Sequence, residues 1–515
     1  MDVATFLRRG AGQHADACAL VFEDKRLSFA QVWRRATALT HGLSKLGVEF
    51  QQSVAVLEDN NIAAVDAFVG LGLGGFVRVP LYARNASAGH ESMLAQAECR
   101  VLLVGPEHVH EVAGLQDTLP MLEHIIVTDA GYEQWLKEQS LDGQSLADPL
   151  TEIAPSDLFA IRFTGGTTGL PKGVPTTHRQ FLSQVRDWFY AFPPPISNDA
   201  VLHAAPITHA SGSLFLPLWG AGGTNVLIKQ FDPGDVLRLI EQEQVSYTFL
   251  PPTALNALTR HADVKTRDTS SLKVLMTAAA PITEDTTLRA RQCFGDVLYQ
   301  GYGLSECFPI TMMDSKQWFA EIENAEPLKA CGIPLPFVDV EIWDEENRRV
   351  AAGEVGEIIA RGDGQMNEYW CAPEETAVTV VDGWIKTGDL GRLDQYGYLY
   401  ILDRKKDLII SGGFNLYPAE IENAIAAMPG VVEVGVVGVP DDKWGEAPVA
   451  MVVAEGELEP LAVVAFVAEQ LGSYKKPREV VIWQEPLPKT PVGKLDRKKL
   501  RAPYWQGRDQ NVSGA

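Results

Sequence analysis

From Thr164 the chain reads Thr164-Gly165-Gly166-Thr167-Thr168-Gly169-Leu170-Pro171-Lys172-Gly173. Glycines let backbone N–H groups approach an anion closely, adjacent threonines add hydroxyl donors, and the lysine brings a positive charge. Those residue types in that order make a cradle for phosphate. A Walker A loop is excluded, because Pro171 rather than glycine precedes the lysine and Gly173 rather than Ser or Thr follows it. The elements that must position such a loop are legible on either side. Leu158 to Phe163 reads as a short buried strand, and beyond the loop Phe181, Val185, Trp188 and Phe189 fall on one helical face. A strand, a Gly-rich loop and a following helix is the expected setting. A polar Gly/Thr turn with no ligand is the competing reading of the same residues.

Further segments follow downstream in a fixed order: Gln300-Gly301-Tyr302-Gly303-Leu304-Ser305-Glu306, Trp384-Ile385-Lys386-Thr387-Gly388-Asp389-Leu390, Asp403-Arg404-Lys405-Lys406-Asp407 with Ile410-Ser411-Gly412-Gly413, and Pro488-Lys489-Thr490-Pro491-Val492-Gly493-Lys494-Leu495. Together with the phosphate loop they resemble the adenylate-forming superfamily of acyl-CoA synthetases, amino-acid adenylation domains and luciferases. Asp59-Asn60-Asn61 and the stretch from Gly70 to Pro80 echo the same superfamily upstream.

The resemblance implies a two-step reaction at one site. A carboxylate attacks the α-phosphate of ATP to give an acyl-adenylate and pyrophosphate, and a thiol then displaces AMP. Thr164, Gly165, Gly166, Thr167, Thr168 and Lys172 would hold the β- and γ-phosphates, because charge accumulates on phosphoryl oxygens. Glu306 would hold Mg²⁺ through one oxygen, although a lone carboxylate is by default a solvated surface group. Gln300, Gly301, Tyr302, Gly303 and Ser305 would shape the nucleotide site, with the Tyr302 ring offering a face to adenine or filling core. Ala279 and Ala280 would let the backbone approach the base, and small residues are equally at home in tight packing. Asp389 can accept from both ribose hydroxyls, with Gly388 leaving room and Arg404 adding a cation; a turn cap is its alternative. Lys494 would bridge the attacking carboxylate and the α-phosphate, while Lys489, Arg497, Lys498 and Lys499 set a basic surface run as the rival view.

In the superfamily that lysine rides on a small mobile domain that rotates about a hinge. The hinge position is Lys406, where many members have aspartate. Gly413 and Trp444 match positions lining the pantetheine tunnel, which implies CoA as co-substrate. Two departures concern hydroxyls only: Gly165 stands where Ser or Thr is usual, and Ser305 stands for threonine.

At 515 residues the chain exceeds one core and suggests two or three domains. Its 44 Lys+Arg against 67 Asp+Glu give a net charge of −23, which argues against nucleic acid and anionic membranes as partners. The 6 cysteines form no C-x-x-C pair and read as reduced thiols rather than a thiolate metal site. No signal pattern opens the chain, and the apolar stretch Ala63 to Leu81 is broken by Asp66, Arg78, Pro80 and glycines, so it reads as a helix-turn-strand of a core. A cytoplasmic protein without membrane insertion, monomeric or homodimeric, is expected.

Strand-like and helical patterns alternate from about Leu27 to Gly356, which argues for parallel sheets. Val338 to Ile342 and Val355 to Ala360 alternate like an antiparallel barrel or sheet. The expected fold is α/β: residues 1–402 form two doubly wound subdomains plus a barrel-like one, and 403–515 a mobile α+β domain carrying Lys494. In the latter, Pro418 opens a helix with Ile421, Ile425 and Met428 on one face, and Gly430 ends it.

Amino-acid adenylation domains hold the substrate ammonium with an aspartate after a central strand. The matching segment Ala205 to Gly212 has His209 and no carboxylate, so a free amino acid is disfavoured. His209 resembles the histidine lining the acyl pocket of CoA ligases, with a core histidine as alternative, and Phe308 and Pro309 make its floor apolar. An aromatic, alicyclic or medium-chain aliphatic acid is the expected substrate of an acid–CoA ligase. An acyl-AMP ligase loading a carrier protein and a luciferase-like monooxygenase share the same motifs.

Overall fold

The computed structural model describes residues 1–82, 85, 87–139, 152–164, 171–412, 414–441, 443–490 and 494–506. A first sheet runs in the order His124–Val127, Val101–Val104, Ser53–Leu57, Val77–Pro80, Leu158–Thr164, Lys172–Thr177. All its neighbours are parallel except the last pair. Val101–Val104 and Ser53–Leu57 are buried throughout, as strands covered on both faces are. Between two of these strands, Asn61 caps the helix Ile62–Gly74 and left-handed Gly75 ends it, which gives the expected helix-turn-strand. Every residue of that helix is buried. Asp66 within it is ion-paired to Arg35 at 2.8 Å and accepts from the Tyr132 hydroxyl.

One expectation needs correction here. The chain does not pass from phosphate loop to helix. Lys172–Thr177 first pairs antiparallel with Leu158–Thr164, with Thr164 opposite Lys172, so the loop closes a β-hairpin. The cause is local: Thr177 caps the helix His178–Ala191 through a box with Gln180, so helical structure cannot start before His178. Phe181, Val185 and Trp188 line its buried face, whereas Phe189 is 39% exposed, since one further residue turns about 100° away.

The second sheet runs Ile333–Pro334, Cys307–Asp314, Leu298–Leu304, Val274–Thr277, Tyr247–Phe249, Ala200–His203, Thr224–Leu227, Cys18–Phe22, Lys25–Ser28. Its centre is parallel, and antiparallel pairs close both edges. The third is antiparallel: Val338–Trp343 pairs Gly356–Gly362, which pairs Trp384–Leu393, flanked by Val380–Val381 and Leu399–Arg404. Second and third sheets share a core in which Trp188, Phe192 and Tyr299 meet Val338, Ile358 and Leu399. After Arg404, a one-turn segment Lys405–Asp407 leads to a separate sheet of Ile409–Ser411, Phe414–Leu416, Val431–Asp441, Gly445–Ala454 and Glu479–Trp483. Ile409, Ile421, Ile425, Val436, Ala450 and Val463 give it its own core. The large α/β part and the small α+β part are therefore both present. No helix among the described residues is long and apolar enough to cross a membrane.

Candidate active site

Asp389 and Arg404 sit opposite each other on the antiparallel strands Trp384–Leu393 and Leu399–Arg404. Their side chains form an ion pair of 2.6 Å, and the Tyr302 hydroxyl donates to the other Asp389 oxygen at 2.6 Å. Gly388 turns the chain with a φ of +69°, a region that glycine enters without strain, and donates its N–H to Glu357 at 3.2 Å. Burial pushes the Asp389 carboxyl up, opposed first by the Arg404 charge and then by the Tyr302 hydroxyl. The Tyr302 ring is buried.

Ser305 and Glu306 form the tight turn joining Leu298–Leu304 to Cys307–Asp314, with Leu304 paired to Cys307. Gly303 is required there, since a Cβ would stand 2.7 Å from the Phe308 ring that folds back across it. Glu306 accepts from the Tyr369 hydroxyl at 2.6 Å, and its carbonyl accepts from the Met366 N–H. The same Tyr369 ring lies 5.2 Å from the Lys172 ammonium. Trp370 donates its backbone N–H to Gly173 and its indole N–H to the Gln96 carbonyl, and so clamps the strand that follows the phosphate loop. Tyr369 therefore joins the lysine of one motif to the carboxylate of another.

Lys494 comes from the far end of the chain. Crowding by surrounding protein lowers its pKa, as does the Arg404 charge, while Asp389 and Glu306 act in the opposite sense. Its side chain is exposed to solvent. Lys406 is within charge reach of Asp389, Arg404 and Lys494. Hydrogen bonds, ion pairs and charge coupling thus link Tyr302, Glu306, Asp389, Arg404, Lys406 and Lys494, and Tyr369 connects Glu306 to Lys172.

His209 stacks on Tyr82 with ring centroids 4.1 Å apart and shares a hydrogen bond with Thr208 through Nδ1, while Nε2 has no partner among the described residues. Burial, reinforced by Arg78 and Arg162, lowers its pKa to about 3 and keeps it neutral. Phe308 meets Trp188 edge-on at 5.6 Å, and Pro309 is buried beside it. Gln300 and Gly301 are buried, and Gln300 Oε1 has no partner among the described residues. Ala279 adopts a φ of +75°, a strained conformation for a residue with a Cβ, at the end of Val274–Thr277 next to Ala280. Trp444 is 49% exposed, and its ring covers left-handed Gly412. Thr164 ends its strand beside Lys172. Gly165, Gly166, Thr167, Thr168 and Gly413 lie outside the described residues.

The AMP-binding enzyme family matches residues 7–370, and its C-terminal domain matches residues 420–494. The chain belongs to the AMP-binding enzyme family. The resemblance to the adenylate-forming superfamily read from its motifs is thereby borne out. Among its relatives is the medium/long-chain-fatty-acid–CoA ligase FadD8 of Mycobacterium tuberculosis, 34% identical over 97% of this chain and 90% of that protein. A feruloyl-CoA synthase of Amycolatopsis is also 34% identical, over 96% of this chain and 97% of its own. ATP-bound MatB from Rhodopseudomonas palustris superimposes with a TM-score of 0.87 at 27% identity, over 98% of this chain and 99% of that one.

Tyr369, Trp370 and Tyr82 escaped sequence reasoning. Met366 to Trp370 carries no glycine-rich or charged signature, and its role emerges only where it folds against Gly173 and Glu306.

Proposed function

We propose that this chain is an acid–CoA ligase that activates a carboxylic acid with ATP and Mg²⁺, releases pyrophosphate, and transfers the acyl group to CoA with release of AMP. The observation that carries this reading is the convergence of Lys494 with Asp389, Arg404 and Glu306, residues remote in sequence but within charge reach of one another. Asp389, fixed by Arg404 and Tyr302, presents a carboxylate to vicinal ribose hydroxyls. Lys172 and the hairpin loop would take the outer phosphates. Lys494 would lie between the attacking carboxylate and the α-phosphate, neutralising both as they close. In the second step the CoA sulfur forms a bond to the acyl carbonyl carbon, the acyl–phosphate bond breaks, and AMP leaves. Trp444 is the exposed aromatic wall that suits a pantetheine arm.

Among the described residues no group of three or more His, Cys, Asp or Glu side chains could hold a metal by itself. One carboxylate completed by phosphate oxygens is what Mg²⁺ accepts, and Glu306, steadied by Tyr369, supplies it. When bound, Mg²⁺ neutralises phosphoryl charge. The deciding experiment is pyrophosphate release from ATP over benzoates, alicyclic acids and C2–C16 fatty acids, with and without CoA. Sustained acid-dependent release with AMP and acyl-CoA formed is expected. Release that stalls near one equivalent and ignores CoA would point instead to a carrier-protein acceptor.

A further inference from the structure

Arginines stand in two strands that are otherwise apolar. Arg78 lies between Val77 and Val79, and Arg162 between Ile161 and Phe163. Arg78 is directly opposite Ala160 on the neighbouring parallel strand, so the two-residue period puts Arg78 and Arg162 on the same face of the first sheet. Arg78 is 4% exposed, with its guanidinium 4.5 Å from the Phe68 ring centroid and 5.5 Å from that of Phe159. Among the described residues it has no hydrogen-bond or ion-pair partner, and its Nε is buried and unmet. Arg162 donates once, to Thr176 Oγ1 at 3.2 Å, and its Nε is likewise unmet. The helix His178–Ala191 packs against Phe159 and Ala160 of this sheet through Phe181 and Val185.

A buried guanidinium without a counter-charge costs several kcal/mol, and a second one beside it adds repulsion. Burial first, and Arg162 second, push the Arg78 pKa down to about 9. Among the described residues no carboxylate is paired with it. An anion from outside would offset that charge. The neighbours of the two arginines indicate which anion. Tyr82, four residues beyond Arg78, donates its hydroxyl to the carbonyl of Phe163, the neighbour of Arg162, at 2.7 Å, and its ring stacks on His209. Both arginines therefore stand on the strands that hold the Tyr82–His209 pair. A carboxylate undergoing activation must stay with the α-phosphate, near Glu306 and Lys494, and is not the group that reaches Arg78.

Resting on the ligase reading above, we propose that the acid carries a second carboxylate, or an equally charged acidic group, held by Arg78 and Arg162 while its first carboxylate faces the nucleotide. The expected substrate class is dicarboxylic rather than simple fatty or aromatic monoacids.

The test compares matched pairs in pyrophosphate release: C4–C12 α,ω-diacids against monoacids of equal carbon number, and benzene dicarboxylates against benzoate. In the wild-type enzyme at least one diacid should exceed its monoacid tenfold or more in kcat/KM, and should raise the melting temperature in the absence of ATP where its monoacid does not. Arg78→Met should lower kcat/KM for that diacid at least tenfold more than for the monoacid, chiefly through KM, and Arg78→Lys should restore part of the difference. Monoacids used well with every diacid rejected would overturn the inference and leave the ligase standing. An Arg78→Met loss equal for both members of a pair would also overturn it, by assigning Arg78 to the reacting carboxylate or to packing. Silence of every acid would overturn the ligase reading itself, and this inference with it. The wild-type comparison decides even if Arg78→Met does not fold.

Discussion

Removing the Tyr369 hydroxyl isolates one strand of the site's organisation. Tyr369→Phe keeps the ring against Lys172 but deletes the 2.6 Å hydrogen bond to Glu306. A hydrogen bond to a charged group contributes about 1.5–3 kcal/mol. Glu306 is only partly buried, so water recovers some of that and the lower end applies. At about 1.4 kcal/mol per decade, the expected loss is roughly tenfold in kcat/KM for Mg²⁺-ATP, with a matching rise in the Mg²⁺ concentration for half-maximal rate. Pyrophosphate release titrated with Mg²⁺ at saturating acid reads this directly. The melting temperature should barely move, because the buried ring remains. Tyr369→Ala should do more: loss of a buried aromatic costs about 3–5 kcal/mol, so it lowers the melting temperature as well as the rate. Wild-type Mg²⁺ dependence in Tyr369→Phe, or a melting loss equal to that of Tyr369→Ala, would refute the assignment of Tyr369 as the group that steadies Glu306.

Lys494→Ala should abolish acyl-adenylate formation while thioester formation from supplied acyl-AMP continues, and equal loss of both half-reactions would contradict a lysine confined to the first. Adenylation should also fall on the alkaline side earlier than an ordinary lysine predicts. Lys494 must be protonated to neutralise charge, and a pKa lowered by its surroundings means that the proton is lost at lower pH. A pH profile of the first half-reaction checks this, and Lys494→Arg should move the alkaline limb upward. Gly212→Ala would place a Cβ 2.0 Å from the Ile207 carbonyl oxygen, so the turn carrying His209 must shift. A loss of roughly 1–3 kcal/mol in stability is expected, read by denaturant unfolding, together with reduced acid activation.

How far the sequence led can be judged from single elements. The parallel strands were legible because strands buried on both faces leave continuous apolar runs such as Val101–Val104. Asp389, Arg404, Glu306 and Lys494 stood out through their motifs, and the fold brings them together. The hairpin at the phosphate loop was hidden, because Lys172-Gly173-Val174-Pro175 does not look like a strand until Thr177 delays the helix. Tyr369 was hidden for another reason: its partners, Lys172 and Glu306, are far away in sequence and only tertiary packing joins them. Arg78 and Arg162 did leave a signal, a charge where the strand pattern demands an apolar residue. Its meaning depended on their sharing one face and on each having a buried Nε without a partner among the described residues.

The helix Ile62–Gly74 carries a consequence for how the molecule assembles. It contains Gly70, Gly72 and Gly74, each of which costs about 0.8–1 kcal/mol of helix propensity relative to alanine. Detached from its surroundings it would be mostly coil. Yet those glycines are what lets it fit: a Cβ on Gly70 would meet the Ala36 carbonyl at 2.8 Å, and one on Gly74 the Phe76 ring at 2.5 Å. Such a segment cannot nucleate folding and must be templated by the helix Phe29–Lys45 and the strands around it. Once enclosed, it has no solvent face from which to fray. Its amides should exchange with deuterium as slowly as any in the chain, released only by global opening, although its own sequence is among the poorest helix formers present.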